Sequence, residues 1–203
     1  MANTGTLDVE AKKHYEAGCQ LLLFGSHSEA RDEFSKALQI SPDVPQIYLQ
    51  LGHSFFSQKK PDVVEAAAAF RRVVDLSPDW SEGYHWLGTA KWKLGQLQEA
   101  VGCFEKAVNL APEDARPRIM LGVCLTKLKD YPAAIIHLRK GIALKPHYAL
   151  ASAHLFLADA LRQNGQINEA RKEWRLILEM PQEYPDDDHP QKEARQLLKK
   201  YGG

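Results

Sequence analysis

Apolar and small residues recur along this chain at helical spacing, and the same order of residues returns at a long interval. Tyr84, Leu87 and Gly88, for example, are spaced as neighbours on one face of a helix. Each helical stretch is followed by an apolar run that ends in proline, which removes an amide donor and stops a helix. These prolines end the runs LQISP, VDLSP, VNLAP and IALKP, at Pro42, Pro78, Pro112 and Pro146. The last three are 34 residues apart and the first gap is 36, which predicts tandem pairs of helices.

Two further marks share this register. An alanine lies twelve residues before each proline, at Ala30, Ala66, Ala100 and Ala134, and a glycine heads each unit, at Gly18, Gly52, Gly88 and Gly122. The irregular spacings predict a two-residue insertion within 57–64 and another just after Pro146, where Ala158 takes the place of the glycine. We expect the small residues to let helices approach closely. Large side chains should then fill the space between hairpins, namely Phe34, Phe70, Phe104, Leu138 and Trp174.

In this register the chain resembles the tetratricopeptide repeat, whose pattern is W-x2-L-G-x2-Y, then A-x3-F, then P. The segments YHWLGTAK…AVGCF…P and RIMLGVCL…AIIHL…P carry the resemblance, and a fifth copy, HLFLADAL…ARKEW…P, is degenerate. The resemblance implies an all-α fold, a right-handed α-α superhelix of five helical hairpins with a C-terminal capping helix. The expected parts are a disordered N-terminus (1–8), a repeat domain (9–182, with repeats at about 11–44, 45–80, 81–114, 115–148 and 151–182), an acidic linker (183–190) and the capping helix (191–203).

Composition narrows the classes of partner. Lys and Arg number 26, and so do Asp and Glu, which argues against a nucleic-acid partner. No apolar run is long enough to predict membrane insertion. Three distant cysteines and a start without a secretory signal predict free thiols and a cytoplasmic location. His53 and His85 supply only two of the ligands that a metal site needs, so we expect neither a metal nor a cofactor.

In the resembling family, the first helix of each hairpin lines a concave face on which partners bind. Trp86 and Trp92 do not fill the core positions of the repeat, so these large side chains should be available to a partner. The alternative is that they only pack helix against helix. The candidate partner-binding residues of this groove are Tyr15, His53, Phe56, His85, Trp86, Thr89, Trp92, Met120, Val123, Phe156, Asp159 and Arg162.

Two polar binding modes of the family lack their residues here. The Lys/Asn/Arg clamp that grips the C-terminal carboxylate of chaperones has no counterpart at the matching positions of the first three repeats, which are Tyr15 and Cys19, then Gln50, then Glu82 and Trp86. The asparagine ladder that grips a peptide backbone is missing as well. The remaining surface is apolar and aromatic, which suits a helix or an extended segment with bulky anchors.

These observations predict a non-enzymatic adaptor or scaffold that binds a protein or peptide with apolar anchors. The alternative is a structural module that self-associates into a homo-oligomer within a larger assembly. An enzyme or accessory subunit ranks last, because no nucleophile, base and orienting group occur together in a recognisable pattern.

Overall fold

The computed structural model describes residues 7–144, 150–181 and 189–201. Within these ranges the chain forms eleven helices. They belong to two compact units, which divide between Leu110 and Ala111. The helices of the first unit are α1 (Val9–Leu23), α2 (His27–Ile40), α3 (Pro45–Phe56), α4 (Val63–Leu76), α5 (Ser81–Lys93) and α6 (Leu97–Leu110). Those of the second unit are α7 (Ala115–Lys127), α8 (Tyr131–Ala143), α9 (Leu150–Gln163), α10 (Ile167–Glu179) and α11 (His189–Tyr201).

Consecutive helices pair into hairpins in both units. In the first unit the pairs are α1 with α2, α3 with α4 and α5 with α6, and α2 and α4 also pack against the first helix of the next hairpin. In the second unit α7 pairs with α8 and α9 with α10, and α11 packs against both α9 and α10. The described helices thus follow the predicted hairpin order, with a terminal helix after the fifth hairpin.

Each of the first four hairpins closes on a contact between its glycine and its large residue. A Cβ atom at Gly18 would lie 2.6 Å from the ring of Phe34, and one at Gly122 would lie 2.5 Å from Cγ of Leu138. Real Cβ atoms do not approach side chains so closely, so only glycine allows these helices to pack at this distance. The predicted core residues are fully buried, at 0% exposure: Phe34, Phe70, Phe104, Leu138 and Trp174.

In four of the five described hairpins the turn contains a left-handed residue. Gly25, Gly95 and Gly165 have φ values of 76°, 77° and 79°, a region that glycine adopts without a steric cost. The equivalent position in the fourth hairpin is held by Lys129, with φ of 67°. In the second hairpin, the predicted two-residue insertion falls in the longer connection that joins α3 to α4.

Some predicted boundaries are corrected by the structure. The terminal helix begins at His189 rather than at residue 191, because Pro190 lies in the first helical turn, where its missing amide costs nothing. At the other end, Asp8 accepts a hydrogen bond from the amide of Glu10 at 2.8 Å and caps α1. The predicted disorder of residues 1–6, most of the acidic linker and the insertion after Pro146 lie outside the described residues.

Candidate functional site

Three aromatic side chains of the first unit meet at the surface that α3 and α5 share. His53 and Phe56 are three residues apart and so lie on one face of α3, and Trp86 extends from α5. The ring centroid of Trp86 is 4.5 Å from that of His53 and 6.0 Å from that of Phe56, both in edge-on geometry. We call His53, Phe56 and Trp86 the aromatic cluster.

The aromatic cluster rests on the core ring of the α3–α4 hairpin. Phe70 of α4 lies 6.0 Å from Trp86 in a stacked arrangement and 5.6 Å from His53 in an edge-on one. All three cluster residues are half-buried, so each presents one side to the core and the other to solvent. A rigid aromatic surface of this kind binds an apolar side chain at low cost in side-chain entropy.

Charged groups border the aromatic cluster on α5. The ammonium of Lys93 lies 5.3 Å from the ring centroid of Phe56 and 5.9 Å from that of Trp92, so it contacts two aromatic faces. The indole nitrogen of Trp86 donates to a carboxylate oxygen of Glu82 at 3.4 Å. A cation at one end and an anion at the other can orient a bound segment.

His53 is neutral at neutral pH. Burial lowers the pKa of its imidazole below the ordinary 6.5, and the nearby negative charge of Glu82 opposes this shift only in part. The aromatic cluster therefore carries no charge of its own at pH 7, which favours an apolar ligand.

Tyr15 is the candidate on α1, where it packs against the core of the first hairpin. Its ring lies 6.1 Å from Phe34, and burial raises the pKa of its hydroxyl to about 12. The side chains of Cys19 and of Gln50 on α3 act on this pKa in opposite directions, and both effects are smaller than that of burial. Tyr15 therefore contributes a protonated hydroxyl and one ring face. The hydroxyl of Thr89 is less available to a ligand, because it already donates to the carbonyl of His85 at 2.9 Å.

The second unit has its own candidates. Phe156 of α9 is 38% exposed, which makes it the most accessible apolar candidate of this unit. Arg162 donates to the carboxylate of Asp159 at 2.5 Å, and its guanidinium lies 5.8 Å from the ring of Tyr201. Met120 of α7 is half-buried.

The expected exposure is wrong for two candidates. His85 is 8% exposed and Val123 is 6% exposed. The ring of His85 packs between Trp86 at 5.3 Å and Phe104 at 6.0 Å, so it belongs to the hairpin interior. Only a narrow stripe of each helix can face solvent once its neighbours are in place.

Two histidines and three thiols are the remaining groups of chemical interest in the described ranges. Trp86 contacts both His53 and His85, and in the described ranges no group of three or more His, Cys, Asp and Glu side chains could hold a metal ion. Burial raises the pKa of the Cys19, Cys103 and Cys124 thiols, the last to about 12. A protonated thiol is a poor nucleophile. No helix in the described part of the chain has the length and apolarity needed to cross a membrane.

Sequence reasoning did not foresee the role of Phe70 as the base of the aromatic cluster, nor the contact between Glu82 and Trp86. The i,i+4 spacing of Glu82 and Trp86 could have indicated their contact. The role of Phe70 depends on how α4 packs against α3 and α5, which spacing alone does not show.

Comparisons with known proteins give a consistent result. A family model described as the tetratricopeptide repeat matches residues 87–149. No curated protein sequence matches the chain. Among solved structures, MamA (residues 41 to the end) from Desulfovibrio magneticus RS-1 is 21% identical with a TM-score of 0.78, covering 86% of this chain and 96% of that one.

Two other solved structures are similar over nearly the whole chain. YrrB, described as a TPR protein with an unusual peptide-binding site, is 18% identical with a TM-score of 0.73, covering 95% of this chain and 94% of that one. TTC0263, a TPR protein from Thermus thermophilus, is 22% identical with a TM-score of 0.68, covering 93% of this chain and 98% of that one. At these identities the likeness establishes the fold.

Proposed function

We propose that this chain, which has an all-α, superhelical repeat fold and matches the tetratricopeptide-repeat model over residues 87–149, is a non-enzymatic adaptor or scaffold. Proteins of this class are generally scaffolds for protein interaction. The proposed ligand is a protein or peptide segment, helical or extended, with bulky apolar anchors that contact the aromatic cluster. Tyr15 and Trp92 are further proposed contact residues in the first unit, and Phe156 offers a separate apolar contact in the second.

One observation carries the proposal. His53, Phe56 and Trp86 form a continuous half-buried aromatic surface over Phe70, although the hairpin needs only Phe70 for closure. Aromatic side chains that are partly exposed and held rigidly from below are the usual energetic centres of protein interfaces. The peptide-binding site named for YrrB supports the same class of ligand.

Charge and thiol chemistry support the remaining parts of the proposal. The equal numbers of acidic and basic residues favour a protein over a nucleic acid as partner. The cysteines Cys19, Cys103 and Cys124 are free thiols, which favours a reducing, cytoplasmic location.

The test is affinity capture from the native cell extract with the double variant Trp86→Ala, Trp92→Ala. We expect partner recovery to fall by roughly tenfold or more, because truncating central aromatic anchors costs about 2 kcal/mol or more each. The matched control is Ile136→Ala with Leu176→Ala, which removes side chains that are 53% and 40% exposed in the second unit. Recovery of every partner by the tryptophan variant, with helicity unchanged by circular dichroism, would exclude the aromatic cluster as the binding surface.

A second candidate function, self-association, is favoured by a different feature. Leu23 and Phe24 at the turn of the first hairpin are each 86% exposed. Large apolar side chains at such exposure are typical of surfaces that another chain covers. The test is the molecular mass from sedimentation over a dilution series, for the native protein and for the double variant Leu23→Ser, Phe24→Ser. We expect the native protein to associate and the variant to be a monomer. A native protein that is a monomer at all micromolar concentrations contradicts self-association.

A further inference from the structure

The first unit contains a cleft that is separate from the aromatic cluster. It lies between α4 and α5, has a volume of about 430 Å³, and is lined largely by apolar atoms of Ala67, Ala68 and Leu87. Val64 and Leu94 also line it, and these two are 63% and 38% exposed. A cleft of this size is within the range of sites that bind small molecules or single side chains.

The cleft exists because α5 lacks the large apolar side chain that other hairpins have at the equivalent position. Lys91 follows the glycine of its hairpin by three residues, as Phe55 does in α3 and as Leu161 follows Ala158 in α9. Leu161 is fully buried in the core of the second unit. Lys91 instead directs its ammonium to Glu99 of α6, at 2.9 Å. Its side chain therefore leaves the space beside α4 unfilled.

The wall of the cleft that α4 forms also carries a smaller side chain than its equivalent elsewhere. Ala67 follows the alanine of the repeat pattern, Ala66, by one residue, and the equivalent residue of α2 is Arg31. Between α2 and α3 the guanidinium of Arg31 lies 4.9 Å from the ring centroid of Phe55. That junction thus holds an aromatic ring beneath an arginine. Between α4 and α5, Ala67 stands at the position of Arg31 and Lys91 stands at the position of Phe55.

An arginine is nevertheless present at the cleft. Arg71 of α4 lines it, is exposed, and makes no ion pair with any residue that the structure describes. Lys91, the other cation of the lining, is already neutralised by Glu99. The cleft therefore combines an apolar interior with one unpaired positive charge at its edge, which is complementary to an apolar side chain close to a carboxylate.

We propose that this cleft binds a phenylalanine side chain of a partner protein, and that a carboxylate next to that phenylalanine pairs with Arg71. The ring occupies the space that Phe55 fills between α2 and α3, and Arg71 takes the part that Arg31 plays there. This second site uses residues that the aromatic cluster does not, so it is independent of the function proposed above.

The probe is acetyl-Phe-Asp-amide, titrated to millimolar concentration into the full-length ¹⁵N-labelled protein and followed by amide chemical shifts. We expect saturable shifts at Ala67, Ala68 and Leu94. Acetyl-Ala-Asp-amide lacks the ring, and acetyl-Phe-Asn-amide lacks the charge. We expect each to bind more weakly by roughly fivefold, as the loss of one modest contact implies.

Variants separate this site from the aromatic cluster. Lys91→Phe restores the side chain found at this position in α3 and should abolish the shifts by filling the cleft. Ala68→Leu fills it from an exposed position on α4 and gives the same test if Lys91→Phe does not fold. Arg71→Ala should reduce binding of the Asp probe to the level of the Asn probe. Trp86→Ala should leave probe binding unchanged.

Three results would overturn the proposal. One is the absence of saturable shifts at the three cleft amides. Another is equal probe affinity in the folded filling variants. The third is that the same amides shift with protein concentration alone, because a second copy of the chain would then be the occupant.

Discussion

Lys129 is the only described non-glycine residue with a positive φ, 67°, in a turn that three other hairpins build from glycine. A side chain in this region crowds the following carbonyl, which costs about 1 kcal/mol. The chain tolerates this cost because the turn is held on both sides: the amide of Lys129 donates to the carbonyl of Thr126 and that of Asp130 donates to the carbonyl of Leu125. The hydrogen bonds of the hairpin thus fix the geometry of this turn, and the side chain of Lys129 causes the strain.

We predict that Lys129→Gly stabilises the second unit by about 1 kcal/mol, since glycine removes the strain. The matched control is Gly165→Ala in the same unit, where φ is 79° and no atom lies near the added methyl group. It should destabilise by about the same amount. Urea unfolding gives both values; a loss of stability in Lys129→Gly would show that the lysine side chain has a structural contact that outweighs the strain.

His53 makes stability depend on pH. Burial lowers its pKa in the folded state below 6.5, so the unfolded chain binds more protons between the folded value and 6.5. The contribution of this neutral imidazole to the free energy of unfolding should therefore be fully present above pH 6.5 and decline as the pH falls through this window. Partner binding to the aromatic cluster should weaken in the same direction, because protonation places a charge among the rings.

The measurement is urea unfolding at about pH 7, above this window, and at about pH 5, below the ordinary histidine pKa. In His53→Phe the decline should be smaller than in the native protein. The lowered pKa of Glu33, caused by hydrogen bonds from Lys36 and His14, affects stability only near and below its ordinary 4.5 and does not interfere. An equal decline in both proteins would assign the effect to other groups.

At the scale of the elements, a hairpin depends on one glycine facing one large side chain. In α3 a Cβ atom at Gly52 would overlap the ring of Phe70, which also supports His53 and Trp86. Helix closure and the shape of the aromatic cluster therefore share the same contact. A change to the glycine should disturb both.

We predict that Gly52→Ala destabilises the first unit by about 1–3 kcal/mol, because overpacking forces the ring or the helix to shift. Gly102→Ala is the control, since Gly102 of α6 has no atom within 4 Å of an added Cβ. That substitution should stabilise by about 0.5–1 kcal/mol through helix propensity alone. Thermal unfolding checks both; a stabilised Gly52→Ala protein would show that the hairpin has free space there.

At the scale of the whole molecule, each unit closes its core by stacking one helix on the next, and α11 closes the second unit. It covers Trp174, which is fully buried and stacked on Tyr201 at 6.0 Å. Arg171 donates to the backbone carbonyl of Tyr201. The outer residues of α11 are mostly charged, so this last helix presents a solvated face rather than an apolar one.

We predict that a stop codon after residue 188 destabilises the second unit by several kcal/mol. The deletion exposes Trp174 and removes Leu197, Leu198 and Tyr201, each of which contributes on the order of 1 kcal/mol or more through burial. The expected signs are a lower melting temperature and a red shift in tryptophan fluorescence. Lys199→Ala with Lys200→Ala, which changes only exposed residues, should unfold as the native protein does.

Much of the fold could be predicted from the sequence, because the determinants are local. The spacing of Gly18, Ala30 and Pro42 recurs along the chain, and every mark acts on its own helix or turn. Helical periodicity then placed Phe34 and its equivalents in the core, which the structure confirms. The boundary at His189 was missed because a proline near a helix start looks the same in sequence as a proline in a linker.

The surface was decided by tertiary packing. Which side of His85 or Trp86 faces solvent depends on how far the neighbouring helix covers it, and periodicity within one helix carries no such information. The cleft beside Arg71 arises likewise from two side chains far apart in sequence, Ala67 and Lys91, of which one is too small and the other turned away to fill the volume. The sequence by itself determined the repeated hairpins, since each is specified by its own residues. Only packing between hairpins decided the accessible aromatic surface and the open space, because volume and exposure are properties of neighbours.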